Sequence, residues 1–397
     1  MRFEFATSAR IIFGVGTLDE AAPAARSVGR RALLVVGKSA ARAEALLEKL
    51  KAEGLAASLF HVDGEPTVEM VIAGKQQARD LGCELVIGLG GGSALDAGKA
   101  IATLLTNSGD IYDYLEVVGR GQPLVNAPAA YIAIPTTSGT GSEVTRNAVL
   151  TAPLASPHFE PQKWGDRGGQ AKVSLRSASM LPRLAIVDPA LTYGLPPDVT
   201  ATSGMDALTQ LIEPFVSNAA NPIADGFCRE GIRRAARALR LVYETDEPNA
   251  REDMALASLL GGMALANARL GAVHAFAGPL GGMFAAPHGA LCARLLPAIL
   301  EANLKALRER TPQSPALARF TELAQTLTGQ PLARAEDGID WLQALCATFK
   351  IPPLSAYGIK KPDFPAIIAQ AKKANSMKGN PVELTDDELE NIMEAAL

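Results

Sequence analysis

Along the first half of the chain, short apolar runs alternate with longer stretches in which apolar positions recur every three to four residues. Ala9 to Phe13, Arg31 to Val36, Ser58 to Val62, Glu84 to Gly88 and Ala130 to Pro135 have the length of strands. Between them, Ala40 to Glu53 carries Ala41, Leu46, Leu47 and Leu50 at helical spacing, and Thr67 to Leu81 and Ala94 to Leu105 read as further helices. Strands that are apolar throughout belong to sheets covered on both faces, so the alternation predicts a parallel, doubly wound sheet. Asn147 to Thr151 and Lys172 to Leu175 add two more strands. The pattern changes at Gly194-Leu195-Pro196-Pro197. Beyond it the periodicity is helical almost throughout: Val199 to Ser217, Ile223 to Tyr243, Arg251 to Arg269, Leu270 to Ala285, Gly289 to Ala306, Ala316 to Thr328, Ala335 to Phe349, Pro362 to Ala374 and Asp386 to Ala396. The fold class expected is α/β plus all-α, with a doubly wound α/β domain over 1–193 and a helical-bundle domain over 194–397.

Composition narrows the partners. With 397 residues, 48% of them hydrophobic, the chain can bury two full cores. Its net charge of -4 and the lack of a long basic run argue against nucleic acid and against an anionic membrane surface. The start Met1-Arg2-Phe3-Glu4-Phe5 has no apolar signal segment, and Cys83, Cys228, Cys292 and Cys346 form no Cys-x-x-Cys pair. Reduced thiols and a cytoplasmic location follow as expectations. The apolar stretch from Leu270 to Pro287 is mostly Gly and Ala with His274 and Pro279 inside it, which suits a buried helix pair better than a membrane span. The Pro- and Gly-rich segment 152–170, with His158 and Trp164, reads as a long loop that could cover a cofactor or meet another subunit.

Candidate chemistry begins where Glu84-Leu85-Val86-Ile87 runs into Gly90-Gly91-Gly92-Ser93 and then a helix. Consecutive glycines remove every β-carbon from the turn, so backbone N–H groups and a helix N-terminus can meet a phosphate. The spacing is not G-x-G-x-x-G, because Ser93 stands where the last glycine would be. A second strand opens into Pro135-Thr136-Thr137-Ser138-Gly139-Thr140-Gly141-Ser142-Glu143, and two such loops can clamp one pyrophosphate. At Val36-Gly37-Lys38-Ser39 there is none of the acid that commonly holds the adenosine ribose, while Lys38, Ser39 and Arg42 offer donors to a 2′-phosphate. NADP is therefore expected to be accepted as well as NAD.

The pairing of GGGSxxDxxK with PTTSGTGSE resembles the iron-containing (group III) alcohol dehydrogenase family, including its maleylacetate-reductase-like members. The likeness continues through Ile186-Val187-Asp188-Pro189, Gly204-Met205-Asp206-Ala207-Leu208, Pro287-His288-Gly289 and Ser376-Met377-Lys378-Gly379-Asn380-Pro381, covering nearly the whole chain. It implies the dehydroquinate-synthase-like architecture, a homodimer or higher homo-oligomer, and NAD or NADP bound between the domains. Gly37, Lys38, Ser39, Gly90, Gly91, Gly92, Ser93, Asp96, Thr136, Thr137, Thr140 and Lys172 stand at the implied cofactor-binding positions. It also implies a divalent metal, iron or zinc, held by an Asp, a His four residues on, and two later His. Asp206, His274 and His288 match, but Gln210 stands at the first histidine position, and Gly278 replaces a further family histidine. Asp206, His274 and His288 form a 2-His-1-carboxylate set suited to ferrous iron, or to zinc with an open position. Gln210 could add a weak carbonyl ligand or hold a metal-bound water; without metal, His274 or His288 would have to donate the proton.

The function expected on this likeness is an NAD(P)-dependent oxidoreductase moving a hydride between nicotinamide and a small aldehyde or ketone. Three alternatives stay open: a maleylacetate-reductase-like, metal-independent reductase; a dehydroquinate-synthase-like lyase that recycles its NAD; and a nucleotide-binding protein whose catalytic site has decayed, suggested by Gln210 and Gly278.

Overall fold

The apolar runs of the first half pair into one parallel sheet. The computed structural model describes residues 2–37, 40–116, 118–153 and 170–397. The strands are β1 (Ile11–Phe13), β2 (Arg31–Val36), β3 (Ala56–His61), β4 (Leu85–Gly90), β5 (Ala130–Pro135), β6 (Asn147–Pro153), β7 (Gln170–Arg176) and β8 (Leu184–Val187). Six lie in the order β1-β8-β5-β4-β2-β3, and β6 pairs antiparallel with β7 in a separate two-stranded sheet. Helices α1 (Ala21–Arg26), α2 (Ala40–Ala52), α3 (Val68–Asp80) and α4 (Gly92–Thr106) connect and cover the strands.

The sheet is apolar on both faces. Along β2, Leu33 and Val35 enter one hydrophobic core while Ala32, Leu34 and Val36 enter the other. Every residue of β4 is buried, which is why this strand shows no polar alternation. β8, four buried residues, is not among the runs singled out above; a strand that short and wholly apolar leaves no period to read. From β2 the chain steps to β3 on one side, and from β4 it steps through β5 on the other. The carboxyl ends of β2 and β4 therefore flank a topological switch point, the place where doubly wound sheets bind ligands.

The second unit is helical. It contains α5 (Pro197–Val216), α6 (Pro222–Thr245), α7 (Pro248–Ala268), α8 (Ala272–Phe284), α9 (His288–Arg310), α10 (Ala316–Thr328), α11 (Ala335–Thr348), α12 (Phe364–Lys373) and α13 (Asp386–Ala396). Contacts group Met1–Ala6 and Ser138–Thr140 with Gly194–Leu397, and Thr7–Thr137 with Gly141–Tyr193. Pro197, Pro222 and Pro248 open α5, α6 and α7 at first positions, where a missing N–H costs no helical bond. Among the described residues no single helix is long and apolar enough to cross a membrane; α7 and α8 reach that composition only as a pair bent by 102°. Of the expected loop 152–170, residues 154–169 lie outside the described residues, while Ala152 and Pro153 extend β6 and Gln170 begins β7.

Candidate active site

Gly90 ends β4 and Gly91 caps α4 without any side-chain capping bond, so the first N–H groups of a 15-residue helix have no side-chain acceptor there. Such a terminus attracts an anion. The glycines are needed for space. A β-carbon on Gly90 would lie 2.6 Å from the Ala94 Cβ and 3.3 Å from the Gly37 nitrogen. Gly91 has φ -74° and ψ -174°, open to any residue, but a β-carbon there would touch Thr137 at 3.4 Å. Thr136 N–H donates to the Gly90 carbonyl at 2.9 Å, locking the second loop to the first. Gly37, Gly90, Gly91, Gly92, Ser93, Thr136 and Thr137 thus gather at the switch point between β2 and β4.

The remaining cofactor candidates divide. Lys38 and Ser39 lie outside the described residues, and Thr140 sits in the short segment that groups with the helices. Asp96 is buried on α4 and accepts the Val149 N–H at 3.0 Å; burial raises its carboxyl above the ordinary value. Lys172 pairs with Glu65 at 3.2 Å, and Arg42 donates to the Tyr193 carbonyl. Lys99, the last residue of the glycine motif, is fully buried and donates to the Ser142 carbonyl (2.8 Å), Thr145 Oγ1 (3.0 Å) and the Asn147 carbonyl (2.8 Å). It braces the second loop from beneath. Burial lowers this ammonium to about 8 despite Asp96 and Glu143 nearby.

The helical unit brings Asp206, His274 and His288 together from α5, α8 and α9. Asp206 Oδ1 lies 3.4 Å from His274 Nε2 and 3.7 Å from His288 Nε2, and the two rings are 5.4 Å apart. Gly289 permits this approach, since a β-carbon there would strike the Thr202 carbonyl of α5 at 2.3 Å. Glu213, seven residues after Asp206 and on the same face of α5, accepts from His274 Nδ1 at 2.6 Å and from the Val273 N–H at 2.7 Å. In the neutral ring, that carboxylate keeps the proton on Nδ1 and leaves the Nε2 lone pair turned toward Asp206. Asn380, from the Ser376-to-Pro381 motif, receives the Ala272 N–H at 3.2 Å and so fixes the start of α8.

A fourth group completes the cluster. The Cys292 sulfur, one turn after His288 on α9, lies 3.7 Å from His288 Nε2 and 3.9 Å from His274 Nε2. The ligand atoms of Asp206, His274, His288 and Cys292 all fall within 4.8 Å of one another. Gln210 is buried and reaches the Asp206 carboxylate. Burial disfavours charge on Asp206, but His288, His274 and Gln210 together hold its carboxyl below the usual range. Burial likewise opposes charge on His274, and the Cys292 sulfur, Glu213 and Asp206 outweigh it, raising the imidazole well above its ordinary value. The Cys292 thiol is pushed up to about 12 by burial.

Asp206 Oδ1 is buried without a hydrogen-bond partner although it faces two imidazoles. An orphaned carboxylate oxygen, two imidazole nitrogens and a sulfur converging on one point fit a divalent cation. Only His288, its side chain 30% exposed, opens the cluster toward solvent; Asp206 and His274 are 3% and 8% exposed.

Sequence comparison decides the family. The iron-containing alcohol dehydrogenase profile matches residues 8–189, and the C-terminal profile of the Fe-containing alcohol dehydrogenase family matches residues 200–397. The chain belongs to the iron-containing alcohol dehydrogenase family. Alcohol dehydrogenase 4 of Schizosaccharomyces pombe is 36% identical over 393 residues, covering 97% of this chain and 87% of that protein. The 1,3-propanediol dehydrogenase of Klebsiella pneumoniae is 35% identical over 378 residues, 93% of this chain and 92% of its own. Among solved structures, a 1,3-propanediol oxidoreductase superposes with a TM-score of 0.89 at 32% identity over 100% of both chains. A sulfoacetaldehyde reductase from Bifidobacterium kashiwanohense, solved in complex with NAD+, superposes at 0.84 with 28% identity over 100% of this chain and 99% of that one.

Within this family member, Cys292 and Glu213 are the site residues that the sequence reading passed over. Each had a helical signal: Cys292 follows His288 by four residues, and Glu213 follows Asp206 by seven. At Gly278 an added β-carbon would meet nothing within 4 Å among the described residues.

Proposed function

We propose that this NAD(P)-dependent oxidoreductase interconverts a small alcohol and its aldehyde or ketone, with Asp206, His274 and His288 holding one divalent cation. The buried Asp206 Oδ1, which faces two imidazoles without a hydrogen bond to either, carries the reading. When bound, the cation would polarise the carbonyl and stabilise the developing alkoxide. Glu213 orients His274 and Gln210 steadies Asp206, while His288 is the most exposed of the three groups that would hold the ion. Gly90, Gly91, Gly92 and Ser93 would receive the cofactor pyrophosphate, flanked by Thr136 and Thr137. Asp96 and Lys172, each tied to a protein partner, support the β6–β7 pair beside that cradle.

The relatives named for 1,3-propanediol and for sulfoacetaldehyde support a small substrate carrying a second polar group. Gly37, with open space above it and no carboxylate beside it in sequence, supports acceptance of NADPH alongside NADH. Cytoplasmic residence and a homodimeric or larger assembly belong to the same reading. The test is oxidation of NADH and NADPH against a panel of small aldehydes. Steady consumption of reduced cofactor is expected, and cofactor binding without turnover on any aldehyde would refute the enzyme assignment. A preference for NADH above about a hundredfold in kcat/KM, about 2.7 kcal/mol, would refute the reading of the Gly37 turn.

A further inference from the structure

We propose that Cys292 supplies a thiolate ligand to the cation held by Asp206, His274 and His288, making good the imidazole that Gln210 lacks. The inference rests on the metal-assisted reading above and names a ligand outside the Asp-and-three-His pattern of the family.

The helix geometry places the sulfur. His288 opens α9 and Cys292 stands four residues later, so both side chains leave the same face of one helix. Zinc bonds of about 2.0–2.3 Å arranged tetrahedrally put neighbouring ligand atoms roughly 3.3–3.6 Å apart. The cluster shows 3.4 Å and 3.7 Å from Asp206 Oδ1 to the imidazoles, and 3.7 Å and 3.9 Å from the sulfur to the same nitrogens. These four separations lie within a few tenths of an ångström of that span, and all pairs of ligand atoms lie within 4.8 Å. The second observation is the Asp206 Oδ1 atom, buried and without a hydrogen bond, aimed at the same point.

Charge and softness follow from the substitution. Asp206 with neutral histidines and a neutral Gln210 offers one negative charge to a dication. With the Cys292 thiolate the set offers two, and loading releases the thiol proton to solvent. A sulfur ligand shifts preference toward zinc and cadmium and away from hard ions. A thiolate also lowers the net charge at the ion.

The full chain, stripped by chelator and reloaded with one equivalent of zinc, tests this by X-ray absorption fine structure. One sulfur scatterer at about 2.3 Å is expected in the wild type, alongside nitrogen and oxygen at shorter distance. Cys292→Ser, its fold checked by circular dichroism, should lose the sulfur shell. In chelator competition, its preference for cadmium over ferrous iron should fall by about tenfold or more. The wild-type measurement stands even if the variant fails to fold. Stoichiometric zinc with only a nitrogen and oxygen shell would overturn the role of Cys292 and leave the metal reading intact. Failure of the wild type to bind any metal would overturn both.

Discussion

Replacing Glu213 by Gln probes how the chain sets the orientation of His274. The carboxylate accepts from the ring Nδ1 at 2.6 Å and from the Val273 N–H at 2.7 Å, and the residue is 4% exposed. Gln keeps the volume but offers one oxygen where two donors converge. Its NH2 group would then face either the Val273 N–H or the ring. If it faces the ring, the imidazole must move its proton to Nε2, the atom turned toward Asp206, and that nitrogen is lost as a ligand. Outer partners of metal-binding histidines are worth roughly 10–100-fold in affinity, about 1.4–2.7 kcal/mol. A buried hydrogen bond to a charged group, about 1.5–3 kcal/mol, gives a similar size. Competition between the protein and a chromogenic chelator for zinc measures the effect, with circular dichroism showing that the helices persist. A folded Glu213→Gln protein whose zinc affinity stays within about twofold of wild type would show that the carboxylate does not set the ring.

Gly90→Val should abolish cofactor binding by calorimetric titration, because its β-carbon would begin 2.6 Å from Ala94 Cβ; near-normal affinity would make the glycine run a mere turn. Lys99→Met leaves the buried Ser142 carbonyl and the part-buried Asn147 carbonyl without their donor and should cost roughly 2–5 kcal/mol in urea unfolding, with a loss below about 1 kcal/mol contradicting the bracing role. Glu143 is buried, and burial raises its carboxyl from 4.5 to about 7, so between these values the folded chain holds more protons than the unfolded one and stability falls as pH rises. Lys99, at about 8, stays charged over that window, so Glu143→Gln should flatten the fall; equal slopes of urea midpoint against pH in the two proteins would refute it.

Much of the fold was legible because the physics is local. Strands buried on both faces must be apolar throughout, and helices facing a core must repeat at 3.6 residues, so α10 and α13 are found at their expected ends. β8 escaped because four apolar residues carry no period. At the site, Asp206, His274 and His288 were legible through the family words around them, and the structure brings all three together. Cys292 and Glu213 were not, because their importance arises only where α5, α8 and α9 meet. A cysteine on an apolar helix and a glutamate near a helix end are ordinary until the opposing face is known. Asp96 and Lys172, which the motif marks, have protein partners of their own in Val149 and Glu65.

The central claim is that a divalent cation at Asp206, His274 and His288 assists hydride transfer between NAD(P) and a small carbonyl compound. The most direct test is turnover by exhaustively chelated enzyme, followed as single equivalents of zinc or ferrous iron are returned, with metal content read by mass spectrometry. The account predicts that activity is lost on stripping, returns in proportion to bound metal up to one per chain, and fails to return in His288→Ala. Full activity in wild-type protein shown to contain no metal would contradict it.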